Sequence, residues 1–147
     1  MDATGSVIRK LKRTGGQKTH HIFLYSIVVN FEGTTLPVHQ MVSEAHDTAT
    51  IGYWLSRWTN LMGLVVPPKE AVCDYSRALI NALCLAFNGR RIKSYLDICF
   101  AMIENPRVVI ERPATIIRID VAHLIHMICR WPCFEKATQT SIKEFFV

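Results

Sequence analysis

Two aspartates occupy positions where a carboxylate could do chemistry. Asp74 closes the short apolar run Ala71-Val72-Cys73 and precedes a helical pattern, and Asp2 stands at the start in Met1-Asp2-Ala3-Thr4-Gly5. The carboxyl end of a buried strand is where α/β folds present ligand-binding groups, and carboxylate oxygens are the ligands Mg²⁺ prefers. The commoner role of a strand-end aspartate is plainer, as a helix N-cap or turn residue. Position alone leaves both roles open.

A strand-helix scaffold must hold these acids. Ile22 to Phe31 is almost continuously apolar, the pattern of a strand buried on both faces, and Glu32-Gly33-Thr34 turns the chain into a partner strand, Leu36 to Ser43. Ile51, Trp54, Leu55, Trp58, Leu61 and Met62 follow helical spacing, with Asp47 or Thr48 as N-cap and Gly63 as the stop. A short strand ends at Asp74. The next helix places Leu79, Ala82, Leu83 and Ala86 on one face. Ser94 and Asp97 have capping-box spacing for a third helix, reaching about Ile103 before Asn105-Pro106. Thr115 to Ile119 is β-rich and ends at Asp120, and a helix from about Val121 to Trp131 is closed by Pro132. Residues 5–19 are polar and basic around Gly15-Gly16, which predicts a loop or hairpin tip. The expected order is β-β-α-β-α-α-β-α, a mixed α/β domain.

Composition narrows the class. With 147 residues, half of them hydrophobic and a fifth charged, the chain has the makings of one globular domain. Its longest apolar runs are too short for a bilayer and no signal-peptide pattern is present, so a nuclear or cytoplasmic protein is expected, neither secreted nor membrane-bound. Oligomeric state is not readable. Five cysteines without a C-x-x-C pair read as small core hydrophobes rather than disulfide partners. The net charge of +5 is concentrated early: Arg9, Lys10, Lys12, Arg13 and Lys18 face the single acid Asp2 within the first twenty residues. Such a cluster can neutralise phosphates, and a solvated loop would look the same.

Three segments together are similar to Mutator-like transposases, closest to insect forms: Asp2-Ala-Thr-Gly-Ser-Val-Ile-Arg-Lys-Leu-Lys-Arg, Val38-His-Gln-Met-Val-Ser-Glu-Ala-His-Asp-Thr and Val72-Cys-Asp-Tyr-Ser-Arg-Ala-Leu. The likeness runs along essentially the whole chain. It implies a ribonuclease H-like mixed sheet with flanking helices, in which a D-D-E triad binds two Mg²⁺ or Mn²⁺ ions for DNA cleavage and strand transfer. By this resemblance Asp2 is the first acid and Asp74 the second, both metal ligands. Asp120-Val121-Ala122-His123 matches the family's [C/D]-x-x-H signature. On a helical wheel Val121, Leu124, Ile125 and Ile128 form the stripe expected to be buried, with His123, His126 and Arg130 opposite. A zinc site from His123, His126, Cys129 and Cys133 is disfavoured, because the spacing splays the first three around the helix and Pro132 intervenes.

Parts of that domain are expected to be absent from residues 1–147. Glu135 and Glu144 follow the Asp120–His123 signature too soon to be the third acid. The family's central first strand would have to be Met1 alone, which predicts a sheet missing its middle. The expectation is therefore a partial transposase catalytic domain, inactive as it stands and holding its metals unstably. The alternative is a non-catalytic remnant that binds nucleic acid or protein.

Overall fold

The computed structural model describes residues 2–8, 10–61, 63, 66–105, 107 and 111–130, leaving aside the side chains of 2–8. Arg9, Trp131, Pro132, Cys133, Glu135 and Glu144 lie outside that set. Among the described residues five strands and four helices follow in the order β1 (Asp2–Ile8), β2 (Ile22–Phe31), β3 (Thr34–Ser43), α1 (Thr48–Leu61), β4 (Glu70–Cys73), α2 (Arg77–Asn88), α3 (Ile92–Glu104), β5 (Ile116–Ile119) and α4 (Val121–Ile128). The fold is mixed α/β, with one strand more than the sequence pattern suggested. The strands make two small sheets, an antiparallel β1-β2-β3 meander and a parallel β4-β5 pair.

The additional strand is β1. Residues 5–8, read from their polarity as loop, continue a ladder in which Asp2, Ala3 and Thr4 face Ser26, Tyr25 and Leu24. Backbone pairing with β2 outweighs a composition low in β-formers. The loop reading holds further on. Lys12 bridges Lys18 across a hairpin whose tip carries positive φ at Gly15 and Gly16. The β2–β3 turn pairs Phe31 with Thr34, leaving Glu32 (φ 50°) and Gly33 (φ 79°) as the two-residue loop. Left-handed values at both central positions match the twist of the flanking strands.

β2 is not buried on both faces along its length. Ile22, Tyr25 and Ile27 are buried, but Val28, Val29 and Phe31 are 45%, 39% and 62% exposed. The core instead gathers where the first half of β2 meets β4, α1 and α2: Tyr25, Ile27, Ile51, Trp54, Leu55, Cys73, Leu79, Leu83 and Phe87. This one cluster ties the two sheets together. At about 25 cal/mol per Å² of apolar surface removed from water, it is the main source of stability.

Capping partly follows local sequence. Asp47 accepts from Thr50 N–H (2.9 Å) to start α1, and Ser76 accepts from Leu79 N–H (3.4 Å) to start α2. α2 closes at Gly89, whose φ of 61° suits a residue without Cβ. The Ser94–Asp97 capping box does not form. α3 begins earlier, at Ile92, whose N–H donates to the Asn81 side chain of α2 (3.2 Å), and Asp97 pairs with Lys93 instead. A long-range acceptor has taken the cap's place.

β5 is held from outside its sheet. Thr115, fully buried, donates its hydroxyl to Pro68 O (2.6 Å) and exchanges backbone bonds with the Asn88 side chain (2.9 and 3.1 Å). Ile117 N–H donates to Tyr95 Oη (2.8 Å), so a tyrosine of α3 covers an edge that another strand would otherwise seek. No described helix is long and apolar enough to cross a membrane.

Candidate functional site

Parallel pairing decides where Asp74 and Asp120 stand. Cys73 faces Ile119 in the β4–β5 register, and Asp120 N–H donates to Cys73 O (2.9 Å), carrying the ladder one step past the strands. The two aspartates therefore leave adjacent strand ends side by side. Beneath them the Cys73 thiol is buried, which pushes its pKa up to about 11 and leaves it a core residue rather than a nucleophile.

Their side chains do different work. Asp120 caps α4: its Oδ1 accepts from His123 N–H at 2.8 Å, which fixes the helix start and occupies one carboxylate oxygen. Asp74, with a quarter of its side chain exposed, has Oδ1 at 3.5 Å from His123 Nδ1, ion-pair distance when the ring is protonated. Ser76 N–H donates to Asp74 O (2.8 Å), tightening the turn into α2. A cleft of about 590 Å³ opens over this end, lined by Asp74, Asp120 and His123 and continued along α4 by His126, Met127 and Arg130.

On α4 the expected polar face is the one that lines the cleft, because His123, His126 and Arg130 repeat at helical spacing. The expected buried stripe is looser. Val121 is 62% exposed and no residue within the helix is fully buried; the buried one is Cys129, its C-cap. Of the four zinc candidates, Cys129 is buried and Cys133 lies outside the described residues.

Asp2 begins β1 opposite Ser26, and its carboxylate lies outside the described atoms. Among the described residues no group of three or more His, Cys, Asp or Glu is arranged to hold a metal ion. Asp74 and the spare oxygen of Asp120 are hard donors of the type Mg²⁺ takes, but they are two and not three.

Pattern reading missed a second polar assembly, at the Ser76 end of the Asp74 turn. Tyr25 donates its hydroxyl to Ala45 O (3.1 Å), and the same oxygen lies 2.7 Å from His46 Nδ1. One O–H cannot donate twice, so a singly protonated ring carries its hydrogen on Nδ1, leaving Nε2 to accept from Ser76 Oγ at 2.9 Å. The His46 ring stacks on Phe23, centroids 4.8 Å apart. The chain Tyr25–His46–Ser76 thus ties the meander to the α2 N-cap, two residues past Asp74. The signal available in sequence was Ser76 ahead of an apolar helical stripe; nothing there named His46.

The basic cluster divides. Lys10, Lys12 and Lys18 are exposed on the hairpin, whereas Arg13 pairs with Glu44 at 2.7 Å, and this bond holds the Glu44 carboxyl below its usual range. Arg9 lies outside the described residues.

Fold and site together describe a small α/β unit with an acid-histidine cleft at the carboxyl ends of parallel strands. Its sequence is similar to the 120.7 kDa protein in the NOF-FB transposable element of Drosophila melanogaster, with 41% identity over 147 residues. The match covers 99% of this chain and 13% of that protein. No protein-family profile and no solved structure matches the chain.

Proposed function

We propose that this chain is a transposon-derived piece of a ribonuclease H-like catalytic domain of the Mutator-like D-D-E kind, built by descent for DNA cleavage and strand transfer and inactive as it stands. The observation that carries the reading is the pairing of Asp74 and Asp120 at adjacent parallel strand ends with His123 over Asp74. The 41% identity to a transposable-element protein supports the transposon origin.

In this reading Asp74, with Asp2, holds Mg²⁺ or Mn²⁺, which when bound activates a water or a 3′-hydroxyl for attack on phosphorus. His123 orients the Asp74 carboxylate. His126 and Arg130, further along the same cleft, attract the phosphodiester. Asp120 fixes the start of α4 so that these groups keep one spacing. With Asp120 committed to capping α4, Asp2 and Asp74 alone are too little charge to hold two cations while an anionic backbone approaches, and no cleavage is expected.

The test is incubation with supercoiled plasmid and Mg²⁺ or Mn²⁺, with Asp74→Asn alongside. No nicking by either is expected. Nicking that Asp74→Asn abolishes would show that the site is already complete, with Glu135 or Glu144 as the acid to examine.

A second reading, a non-catalytic nucleic-acid-binding remnant, is favoured by the exposed Lys10, Lys12 and Lys18 on the hairpin. It calls for weak, sequence-independent duplex binding that falls steeply with salt as counterions are released. Fluorescence anisotropy on a short duplex measures it. Binding unchanged by salt, or by charge reversal at these three lysines with Arg9 and Arg13, would sink it.

A further inference from the structure

Ser76 carries a hydroxyl that the acid cleft does not use, and its surroundings are those of a nucleophile. Its Oγ lies 2.9 Å from His46 Nε2, and across the ring His46 Nδ1 lies 2.7 Å from Tyr25 Oη. Because Tyr25 donates its own proton to Ala45 O, the neutral ring keeps its hydrogen on Nδ1 and turns the Nε2 lone pair to Ser76. That is the tautomer a general base needs. Phe23 stacks on the ring and restrains it. Burial, with the charge of Asp47 second, pushes the Tyr25 hydroxyl up to about 12, so the orienting group stays neutral. A nucleophile and a base within hydrogen-bond reach, the base aimed by a third group, is the arrangement that activates a serine. The cap bond does not compete: Ser76 Oγ accepts from Leu79 N–H through a lone pair while its proton points to His46. The amides of Arg77 and Ala78, in the first turn of α2, have no acceptor within the helix, so donors for an oxyanion adjoin the hydroxyl. Ser76 is half-buried, and His46 and Tyr75 are exposed, so the pair can be reached from solvent.

We propose that Ser76 is a histidine-activated nucleophile that accepts acyl groups from small activated esters with an aryl leaving group. Ser76 Oγ attacks the carbonyl carbon while its proton passes to His46 Nε2, and the carbonyl oxygen takes up the negative charge. Collapse of that intermediate breaks the bond to the aryl oxygen, which leaves with the proton held by His46. Water then attacks the Ser76 ester, giving a proton to the same nitrogen. The carboxylic acid departs, and that proton restores the serine hydroxyl. Ester and water are the only reactants. The steps are separate from the chemistry at Asp74 and stand or fall apart from it.

The experiment treats the whole chain, in EDTA, with a fluorophosphonate probe that phosphonylates activated serines with loss of fluoride, and locates the adduct by peptide mass spectrometry. Labelling at Ser76 is expected, slower by about tenfold or more in His46→Gln. Ser76→Asn, which keeps a cap acceptor for Leu79 N–H, should take no label in that peptide. Amide exchange across α2 checks that both variants stay folded, and the urea-unfolded parent, which should not react, decides the matter if His46→Gln does not fold. p-Nitrophenyl acetate should acylate the same hydroxyl. No label at Ser76, or equal labelling of the native chain and the unfolded one, overturns the proposal. So does equal labelling of the parent and a folded His46→Gln. Acylation confined to other side chains overturns the substrate class.

Discussion

His46 and His123 both reach the turn that carries Asp74, one at Ser76 and the other at Asp74 itself, and they are held in different ways. His46 stacks on Phe23, has partners at both ring nitrogens, and joins a buried tyrosine to a helix cap. Both rings are exposed, but the His123 ring meets one carboxylate, at 3.5 Å. The first is part of the frame: moving it breaks several bonds at once. The second can turn toward a ligand at small cost. A site needs both kinds, a turn fixed from behind and side chains in front that remain adjustable.

Breaking the frame side at its core should have the largest effect. Leu55→Ala empties a fully buried position shared by α1 and the β2–β4 junction. A loss of about 2–5 kcal/mol is expected from urea denaturation, by lost transfer energy plus the cavity left behind. A loss under about 1 kcal/mol would mean that the two sheets are not joined by this cluster.

Tyr25→Phe should cost about 1–3 kcal/mol, because it removes the donor to Ala45 O and leaves His46 Nδ1 without its partner. An effect near zero would demote the Tyr25–His46–Ser76 chain to a bystander.

Raising pH tests the same buried groups. Burial pushes the Tyr25 and Tyr95 hydroxyls up to about 12 from 10.0, and the Cys73 and Cys84 thiols up to about 11 from 9.0. The unfolded chain then releases these protons first, so their contribution is complete below the unfolded values and is lost as pH climbs toward the folded ones. Denaturation midpoints under reducing conditions should be level to about pH 9 and fall beyond it, less steeply in Tyr25→Phe. A midpoint that rises above pH 9 would contradict the burial of these groups.

On the cleft side, Asp120→Ala should lower stability by about 1 kcal/mol through the lost N-cap of α4. Exchange should quicken within α4 and not in α1 or α2. His123→Ala should be the mildest, within about 1 kcal/mol, since partly exposed ion pairs contribute little. If His123→Ala destabilised as much as Tyr25→Phe, the contrast between the two histidines would collapse.

Much of this molecule was legible in local pattern. The β2–β3 hairpin, α1 with its Asp47 cap, the strand ending at Asp74, the apolar face of α2 and the shared face of His123, His126 and Arg130 follow from period, turn chemistry and capping. These are short-range effects, set by residues within a turn or two of one another. What pattern reading lost was decided at long range. Residues 5–8 became strand because β2 offered them a ladder, and the second half of β2 was left exposed because the described β1 pairing ends at Ser26. Ile92 starts α3 because Asn81 of another helix reaches it, and Val121 at the start of α4 is left exposed. The same division runs through the site. Sequence by itself marked Asp74 as a strand-end acid and picked out Asp120 with His123 by their Asp-x-x-His spacing. Only the parallel β4–β5 pairing set those acids side by side, and only the Tyr25–His46–Ser76 bonds fixed the turn behind them, because a hydrogen bond between residues 21 or 30 positions apart leaves no periodic trace in the chain that makes it.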